Sequence, residues 1–124
     1  MYIFSKAIDI LLKEFPELRQ FYDDDYEDLM YLFYETEFGN YVMKNVLEHN
    51  EVELRKIFDF TERLFTDGDE KMKNLAGVGI VERLYFEKEF MVRYEFLSKY
   101  LGQLTRTSFE DSIEWFKNYK ESTE

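Results

Sequence analysis

The chain has 124 residues, of which 27 are acidic and 16 are basic, so its formal net charge is -11. This charge disfavours binding to nucleic acid or anionic lipid and favours a basic partner. The chain lacks cysteine, which excludes disulfides and thiolate chemistry and agrees with a reducing cytoplasm, where we expect the protein. The first 15 residues show no pattern of a signal peptide or membrane span. With 45% hydrophobic residues, the chain can bury the core of one domain over residues 1–124.

The first half of the sequence predicts three helices, because proline and glycine are rare and apolar residues recur at helical spacing. The first helix covers residues 4–15, and Pro16 opens a short second helix that reaches about residue 22. A longer helix of roughly twenty residues follows over 28–49. Gly39-Asn40 is the expected site of a bend or break in it.

The second half continues this helical pattern. The cleanest apolar stripe predicts a helix over 54–65, which Thr66-Asp67-Gly68 closes as a C-terminal glycine stop. Asp69 then caps the next helix. Residues 74–81 (NLAGVGIV) are apolar nearly all round, so we expect them to lie buried at the centre of the fold.

The last part of the chain predicts two further helices. Apolar residues continue at helical spacing over 90–101 to Gly102, and residues 107–110 (TSFE) form a capping box that opens a final helix. The apolar residues of that helix expected to face inward are Phe109, Ile113 and Phe116. We therefore predict an all-α single domain of about five to seven helices packed antiparallel, as a bundle or a short helical-hairpin array.

Gly77 and Gly79 resemble the start of a dinucleotide-binding glycine motif. Glu82 occupies the third glycine position, however, and no strand precedes the motif, so we do not expect a dinucleotide site. Both glycines are instead expected where another helix crosses closely. Glu82 is expected to pair with Arg83 or Arg93 at the edge of the buried stretch.

The sequence predicts no metal, cofactor or catalytic site. Residues 23–28 (DDDYED) lack the glycine turn of a calcium loop, and Asp67-Gly68-Asp69 offers too few ligands. His49 is expected to lie exposed at a helix end, because one imidazole without a second His or Cys makes a poor zinc site. No nucleophile motif accompanies it, and no pair of carboxylates stands out for glycoside chemistry.

The acidic residues are concentrated near the start of the chain. Residues 14–28 hold seven acidic side chains against one basic side chain, a net charge of -6 out of the total of -11. Interfaces for basic partners combine such carboxylates with desolvated tyrosines, whereas the alternative is a solvated face whose tyrosines lie at the core edge. The predicted partner-binding residues, which lie beside Phe21, are Tyr22, Asp23, Asp24, Asp25, Tyr26, Glu27, Asp28, Tyr31 and Tyr34.

Four stretches carry a resemblance to a known family: FPELRQFY, ELRKIFDFTERLFTDGDEKMKNLAGVGIVERL, YEFLSKYLGQLTR and SFEDSIEWF. Their order resembles small helical bacterial proteins related to immunity proteins of polymorphic toxin systems. The most characteristic part is residues 74–84, with Gly79 and Glu82. The resemblance implies a cytoplasmic antitoxin-like protein that binds and blocks a partner without enzyme activity, and it assigns no functional residues.

The expected function is that of a non-enzymatic protein-binding module, most simply an immunity-like inhibitor of a basic toxin. Two alternatives remain open. One is a structural or regulatory adaptor that forms a homodimer, and the other is a carboxylate-dependent enzyme or small-ligand binder. A closed, aromatic-lined pocket with convergent carboxylates would favour the last.

Overall fold

Helices account for nearly all of the chain. The structure is a computed structural model that describes the backbone of residues 1–123 and the side chains of residues 1–119. The helices are α1 (Ala7–Glu14), α2 (Met30–Phe33), α3 (Gly39–Leu47), α4 (Glu51–Asp67), α5 (Glu70–Leu75), α6 (Arg83–Tyr85), α7 (Lys88–Met91), α8 (Tyr94–Leu97) and α9 (Gln103–Thr123). The predicted all-α fold is confirmed, because the described residues contain no strand beyond an isolated bridge between Tyr2 and Gly68. No helix within residues 1–123 has the length and apolar character needed to cross a bilayer.

Shorter helical elements join these helices. The 3-10 turns are Phe4–Lys6, Pro16–Phe21, Asp24–Tyr26 and Ser98–Tyr100. Two π-helical segments, Tyr34–Phe38 and Ala76–Glu82, join α2 to α3 and α5 to α6 without a break. The long helix predicted over 28–49 therefore runs from Met30 to Leu47, and Gly39 does not interrupt it.

Aromatic side chains form most of the core. Phe15, Phe38 and Phe60 contact one another with ring centroids 5.2, 5.4 and 5.8 Å apart, which joins α1, the first π segment and α4. Phe90 stacks on Phe109 at 5.4 Å and ties α7 to α9. All five side chains are buried. Each aromatic ring removes roughly 150–250 Å² from water, so these contacts dominate the packing energy.

Asp69 fastens the start of the chain to α5. Its Oδ1 accepts a hydrogen bond from the Met72 N–H at 2.8 Å, so the predicted helix cap is confirmed. Its Oδ2 accepts another from the Phe4 N–H at 3.1 Å. These two N–H groups hold the pKa of the Asp69 carboxyl below its usual value.

The capping box predicted at residues 107–110 is wrong, because α9 begins at Gln103 and these residues lie inside the helix. Glu62 of α4 caps α9 instead. Its carboxylate accepts hydrogen bonds from the backbone N–H groups of Leu104 at 3.1 Å and Thr105 at 2.9 Å. The first-turn donors of α9 are thus satisfied by a residue from another helix.

Gly68 follows the end of α4 as predicted, but it is not a left-handed stop. Its φ of -90° and ψ of 156° are extended values that any residue adopts. A β-carbon there would lie 2.4 Å from the Leu64 carbonyl oxygen and 2.9 Å from Met72 Cγ. Glycine is therefore required by the close approach of the chain and not by backbone conformation.

Close packing is confirmed at Gly79 and absent at Gly77. A β-carbon on Gly79 would lie 2.8 Å from Leu75 Cδ1 and 3.5 Å from Tyr34 Cβ, where the two π segments meet. A β-carbon on Gly77 would lie 3.9 Å from Ser108 Oγ, which is ordinary contact. The prediction of a helix crossing therefore holds for only one of the two glycines.

Residues 74–81 are not buried all round, contrary to prediction. Leu75, Ile80 and Val81 face the core, but Asn74 and Val78 lie on the surface. An exposed strip thus runs along this otherwise apolar helix, facing α9.

Candidate functional site

The acidic segment (residues 21–28) presents all five of its carboxylates to solvent. The Asp23 carboxylate caps the 3-10 turn Asp24–Tyr26 by accepting a hydrogen bond from the Asp25 N–H at 2.9 Å. Phe21 at the edge of the segment is half exposed. No group of three or more His, Asp or Glu among the described side chains could hold a metal ion.

Tyr22 and Tyr26 lie against the fold and not free on the surface. Both rings pack edge-on against the buried Phe33, with centroids 6.0 and 4.8 Å away. Burial raises the pKa of the Tyr22 hydroxyl, and the charge of Asp24 raises it further. Burial followed by the charge of Glu37 raises the pKa of Tyr26. These two tyrosines therefore anchor the acidic segment, and their outer edges remain partly accessible.

Tyr34 does not belong to a contact surface, which corrects its assignment as a partner-binding residue. Its side chain is fully buried, and its hydroxyl donates a hydrogen bond to the Ala7 carbonyl at 2.7 Å. Burial raises its pKa far above the usual value. Tyr31 is partly buried: its ring packs on Phe4 at 5.7 Å and its hydroxyl donates a hydrogen bond to Asn74 Oδ1.

A second surface lies where α9 crosses the helix formed by α5, the second π segment and α6. Its central part, between Glu82 and Trp115, is a shallow groove with a volume of about 560 Å³, and Phe86 lies in the concavities that adjoin it. We call the whole surface the aromatic groove and define it by Val78, Glu82, Phe86, Asp111, Trp115 and Phe116. Phe86 is 67% exposed and Trp115 is 59% exposed, although both are large apolar side chains.

The rings of the aromatic groove pack on one another. The Phe116 ring contacts Phe86 edge-on at 4.7 Å and stacks on Tyr85 at 5.1 Å, with 14° between the planes. Trp115 meets Phe116 at 4.8 Å and stacks on Tyr119 at 5.5 Å. Mutual packing restricts the motion of these side chains, so they form a defined apolar surface before any partner arrives.

The carboxylates of the aromatic groove have no cationic partner among residues 1–119. Among the residues whose side chains are described, neither Glu82 nor Asp111 forms an ion pair. The expected pairing of Glu82 with Arg83 or Arg93 is wrong, because these arginines pair with glutamates one turn along the chain. Arg83 binds Glu87 at 2.8 Å, and Arg93 binds Glu89 at 3.0 Å.

Arg83 lines the end of the aromatic groove beside Glu82 and Phe86, but its guanidinium is held by partners within the chain. Its Nε donates to the Glu35 carbonyl at 2.9 Å, and a second nitrogen donates to Asn40 Oδ1 at 3.3 Å. The Glu35 side chain lines the same end of the groove as Glu82. This end of the groove therefore carries the carboxylates of Glu35 and Glu82 beside Arg83, whose charge is offset by Glu87.

The acidic segment and the aromatic groove are connected. Tyr31 follows the acidic segment, and its hydroxyl donates a hydrogen bond to Asn74. Asn74 in turn lines the groove beside Glu82 and Asp111. Tyr31, which lies three residues after the acidic segment, thus contacts a residue that lines the groove.

One protein family matches this chain over residues 8–118, and it is described as Domain of unknown function (DUF7674). The chain belongs to the DUF7674 family. The matched range includes the acidic segment and the residues of the aromatic groove. No curated protein and no solved structure matches the chain.

This DUF7674 domain has another concave surface, with a volume of about 650 Å³, between the end of α3, the start of α4 and α8. Its charged groups neutralise one another. Glu51 accepts hydrogen bonds from the Tyr100 hydroxyl at 2.7 Å and from Lys99 at 3.4 Å, and both lower its pKa. His49 lies exposed at the helix end, as predicted, in a left-handed conformation with φ of 56°.

The sequence contained a signal for the aromatic groove that our predictions missed. Tyr85-Phe86 and Trp115-Phe116 are adjacent aromatic pairs on helices. Neighbouring helical residues point about 100° apart, so both members of a pair cannot lie at the centre of one buried stripe. Phe116 was expected to face inward, yet it is only partly buried and lines the groove.

Proposed function

We propose that this DUF7674 domain is a non-enzymatic protein-binding module that binds a basic partner protein through the aromatic groove. The observation that carries the proposal is the exposure of several packed aromatic rings beside carboxylates that form no ion pair with the side chains that the structure describes. The acidic segment attracts the partner, and the groove supplies the contact that holds it.

The aromatic rings fit the role of binding anchors. Exposed apolar clusters on a soluble protein commonly mark interaction sites, and tryptophan and tyrosine are enriched among residues that dominate binding energy. Trp115 and Phe86 are large, exposed and restrained by neighbouring rings. A partner that covers them gains apolar burial at a small cost in side-chain entropy.

The charge distribution favours a basic partner over a second copy of the chain. Groove-to-groove pairing would bring Glu82 and Asp111 of both copies together without any cation between them. Like charges placed this way oppose association, whereas lysine or arginine side chains would complement them. The homodimeric adaptor is therefore the less favoured function.

An immunity-like inhibitor is the specific role that we favour for the module. Such a protein acts by covering the working surface of a toxin, so it needs complementary charge and anchors but no catalytic groups. The net charge of -11 and the aromatic groove meet these requirements. The resemblance of residues 74–84 to immunity proteins points the same way, and this stretch supplies Val78 and Glu82 to the groove.

The proposal is tested by affinity capture from the native host. Tagged wild-type protein and the Phe86→Ala/Trp115→Ala variant are incubated with host extract at low and high salt, and bound proteins are identified by mass spectrometry. We expect a basic protein that the wild type retains at low salt and that the variant loses. The recovered protein is then purified, and its affinity for both forms is measured.

A matched control uses Val52→Ala and Phe96→Ala, since these exposed apolar residues lie away from the aromatic groove. The control should capture the same protein as the wild type. The proposal fails if the partner binds the groove variant as tightly as the wild type, or if the captured species is a second copy of the chain.

A further inference from the structure

We infer that the aromatic groove binds an arginine side chain of the partner, held between the carboxylates of Glu82 and Asp111 and stacked on the ring of Trp115 beside Phe116. This inference rests on the proposed function, since it names the group that the partner inserts. Glu82 and Asp111 form no ion pair within the described part of the chain, and the inference gives both carboxylates a cation to bind.

The two carboxylates come from different elements and face the same concavity. Glu82 ends the second π segment, and Asp111 lies on α9 one turn before Trp115. The groove around them is otherwise lined by neutral side chains, including Ser108 and Ser112. A cation placed there would meet two negative groups and no competing positive group.

The aromatic rings complete the site for a planar cation. The negative face of an aromatic ring attracts a cation within about 6 Å, and tryptophan is the strongest of the aromatic side chains in this respect. Trp115 and Phe116 both line the groove, and their ring planes meet at 82°. A guanidinium can lie flat on the Trp115 ring while its edge points toward a carboxylate.

Arginine satisfies this site better than lysine does. Its planar guanidinium donates several hydrogen bonds in a fork that matches carboxylates, and it stacks on aromatic faces. The lysine ammonium is more strongly hydrated and cannot stack in this way. The exposed Val78 and Phe86 beside the site accept the apolar residues that flank the arginine.

The same chain shows cations over rings elsewhere, which supports this chemistry for its surface. The Arg55 guanidinium lies 5.2 Å from the centroid of the Tyr100 ring, and Tyr100 also donates a hydrogen bond to Glu51. That arrangement combines an arginine, a ring and a carboxylate within one chain. In the aromatic groove the ring and the carboxylates are present, and the arginine comes from the partner.

The test uses the intrinsic fluorescence of Trp115, which is the single tryptophan of the chain. The probe is a short acetylated peptide that alternates leucine with arginine. Two matched peptides replace arginine by lysine or by the isosteric, uncharged citrulline. We expect the arginine peptide to change the emission of Trp115 with saturation at low salt, and the citrulline peptide to bind about tenfold more weakly or worse.

Variants of the protein locate the effect. Glu82→Gln and Asp111→Asn should each weaken binding of the arginine peptide severalfold, and the double variant should lose most of the preference for the arginine peptide over the citrulline peptide. Glu110→Gln is the matched control, because this residue lies on the same helix but near Tyr94. Circular dichroism and melting curves check that every variant remains folded.

The outcomes separate this inference from the proposed function. If arginine and citrulline peptides bind equally to the wild type, or if the Glu82 and Asp111 variants bind the arginine peptide unchanged, the inference is overturned. The proposed function still stands in that case if the captured partner is lost by the Phe86→Ala/Trp115→Ala variant. If every groove variant binds the arginine peptide and the partner as tightly as the wild type does, both the inference and the proposed function are overturned.

Discussion

The Glu62 carboxylate accepts two hydrogen bonds from Thr105, one from its backbone N–H at 2.9 Å and one from its hydroxyl at 2.8 Å. It therefore fixes the first turn of α9 to the side of α4. Gly102 makes this possible, because a β-carbon there would lie 2.4 Å from Glu62 Cδ. The direction of α9 sets where Trp115 lies, so this contact between two helices also positions the aromatic groove.

Replacement of Glu62 by alanine should destabilise the protein by about 1–3 kcal/mol, since it leaves first-turn donors of α9 without their acceptor. Glu62→Gln is the matched control and should lose less stability, because its amide oxygen can still accept a hydrogen bond from Thr105. Urea denaturation followed by circular dichroism measures both. Equal stability of Glu62→Ala and the wild type would show that water replaces the cap without loss.

The two glycines of the second π segment should respond differently to substitution. Gly79→Leu should destabilise the protein by about 1–3 kcal/mol, because a side chain there meets Leu75 and Tyr34 at once. Gly77→Ala should be neutral or stabilising by up to about 1 kcal/mol, since the site has room and alanine favours helix. Thermal melts of the two variants check this contrast, which a fall in melting temperature for Gly77→Ala would contradict.

The Asp69 cap should stabilise the protein in a pH-dependent way. The pKa of its carboxyl is lowered in the fold from the usual 3.8, so its charged form adds stability above that pH and loses it as the pH falls through the lowered value. Melting temperatures of wild type and Asp69→Ala should differ at neutral pH and converge in acid. Asp69→Asn keeps an uncharged cap, so its difference from Asp69→Ala should not change with pH. If the difference in melting temperature between the wild type and Asp69→Ala stays constant from neutral to acid pH, this role is excluded.

The acidic segment should act on the rate of association. Changing Asp23, Asp24 and Asp25 together to asparagine should slow binding of the basic partner at low salt, because it removes three charges that attract the partner. The difference should shrink as salt is added, since attraction between charges is screened over about 8 Å at physiological ionic strength. Dissociation and melting should change little, since asparagine keeps the cap that Asp23 provides. Stopped-flow kinetics at several salt concentrations measure this. An unchanged association rate at low salt would mean that the segment is only a solvated face.

Local patterns predicted the helices over 4–15, 28–49 and 54–65, because these depend on residues close in sequence, whereas the helix predicted over 90–101 is divided into α7, α8 and a 3-10 turn. The helix over residues 4–15 and the Asp69 cap could be read from spacing and residue type. The start of α9 could not, because its cap is Glu62, more than 40 residues away. A local TSFE motif at 107–110 therefore gave the wrong boundary.

The candidate site was harder to predict than the fold. Tyr34 was grouped with the acidic segment because it lies nearby in sequence, but its hydroxyl reaches Ala7 inside the core. The aromatic groove joins Glu82 to Asp111 and Trp115, which are about 30 residues further along the chain. The adjacent aromatic pairs were a sign of an exposed aromatic surface, but only the packing of α9 shows that Glu82 and Asp111 lie together beside it.

The emission of Trp115 during titration with the captured partner tests the central proposal most directly, because this single tryptophan lies in the aromatic groove. Burial of its exposed ring should shift the emission to shorter wavelength with saturation at one partner per chain. The shift should need more partner at high salt and in the Glu82→Gln/Asp111→Asn variant. If calorimetry shows that the partner binds while the emission of Trp115 stays unchanged, the groove is not the binding surface.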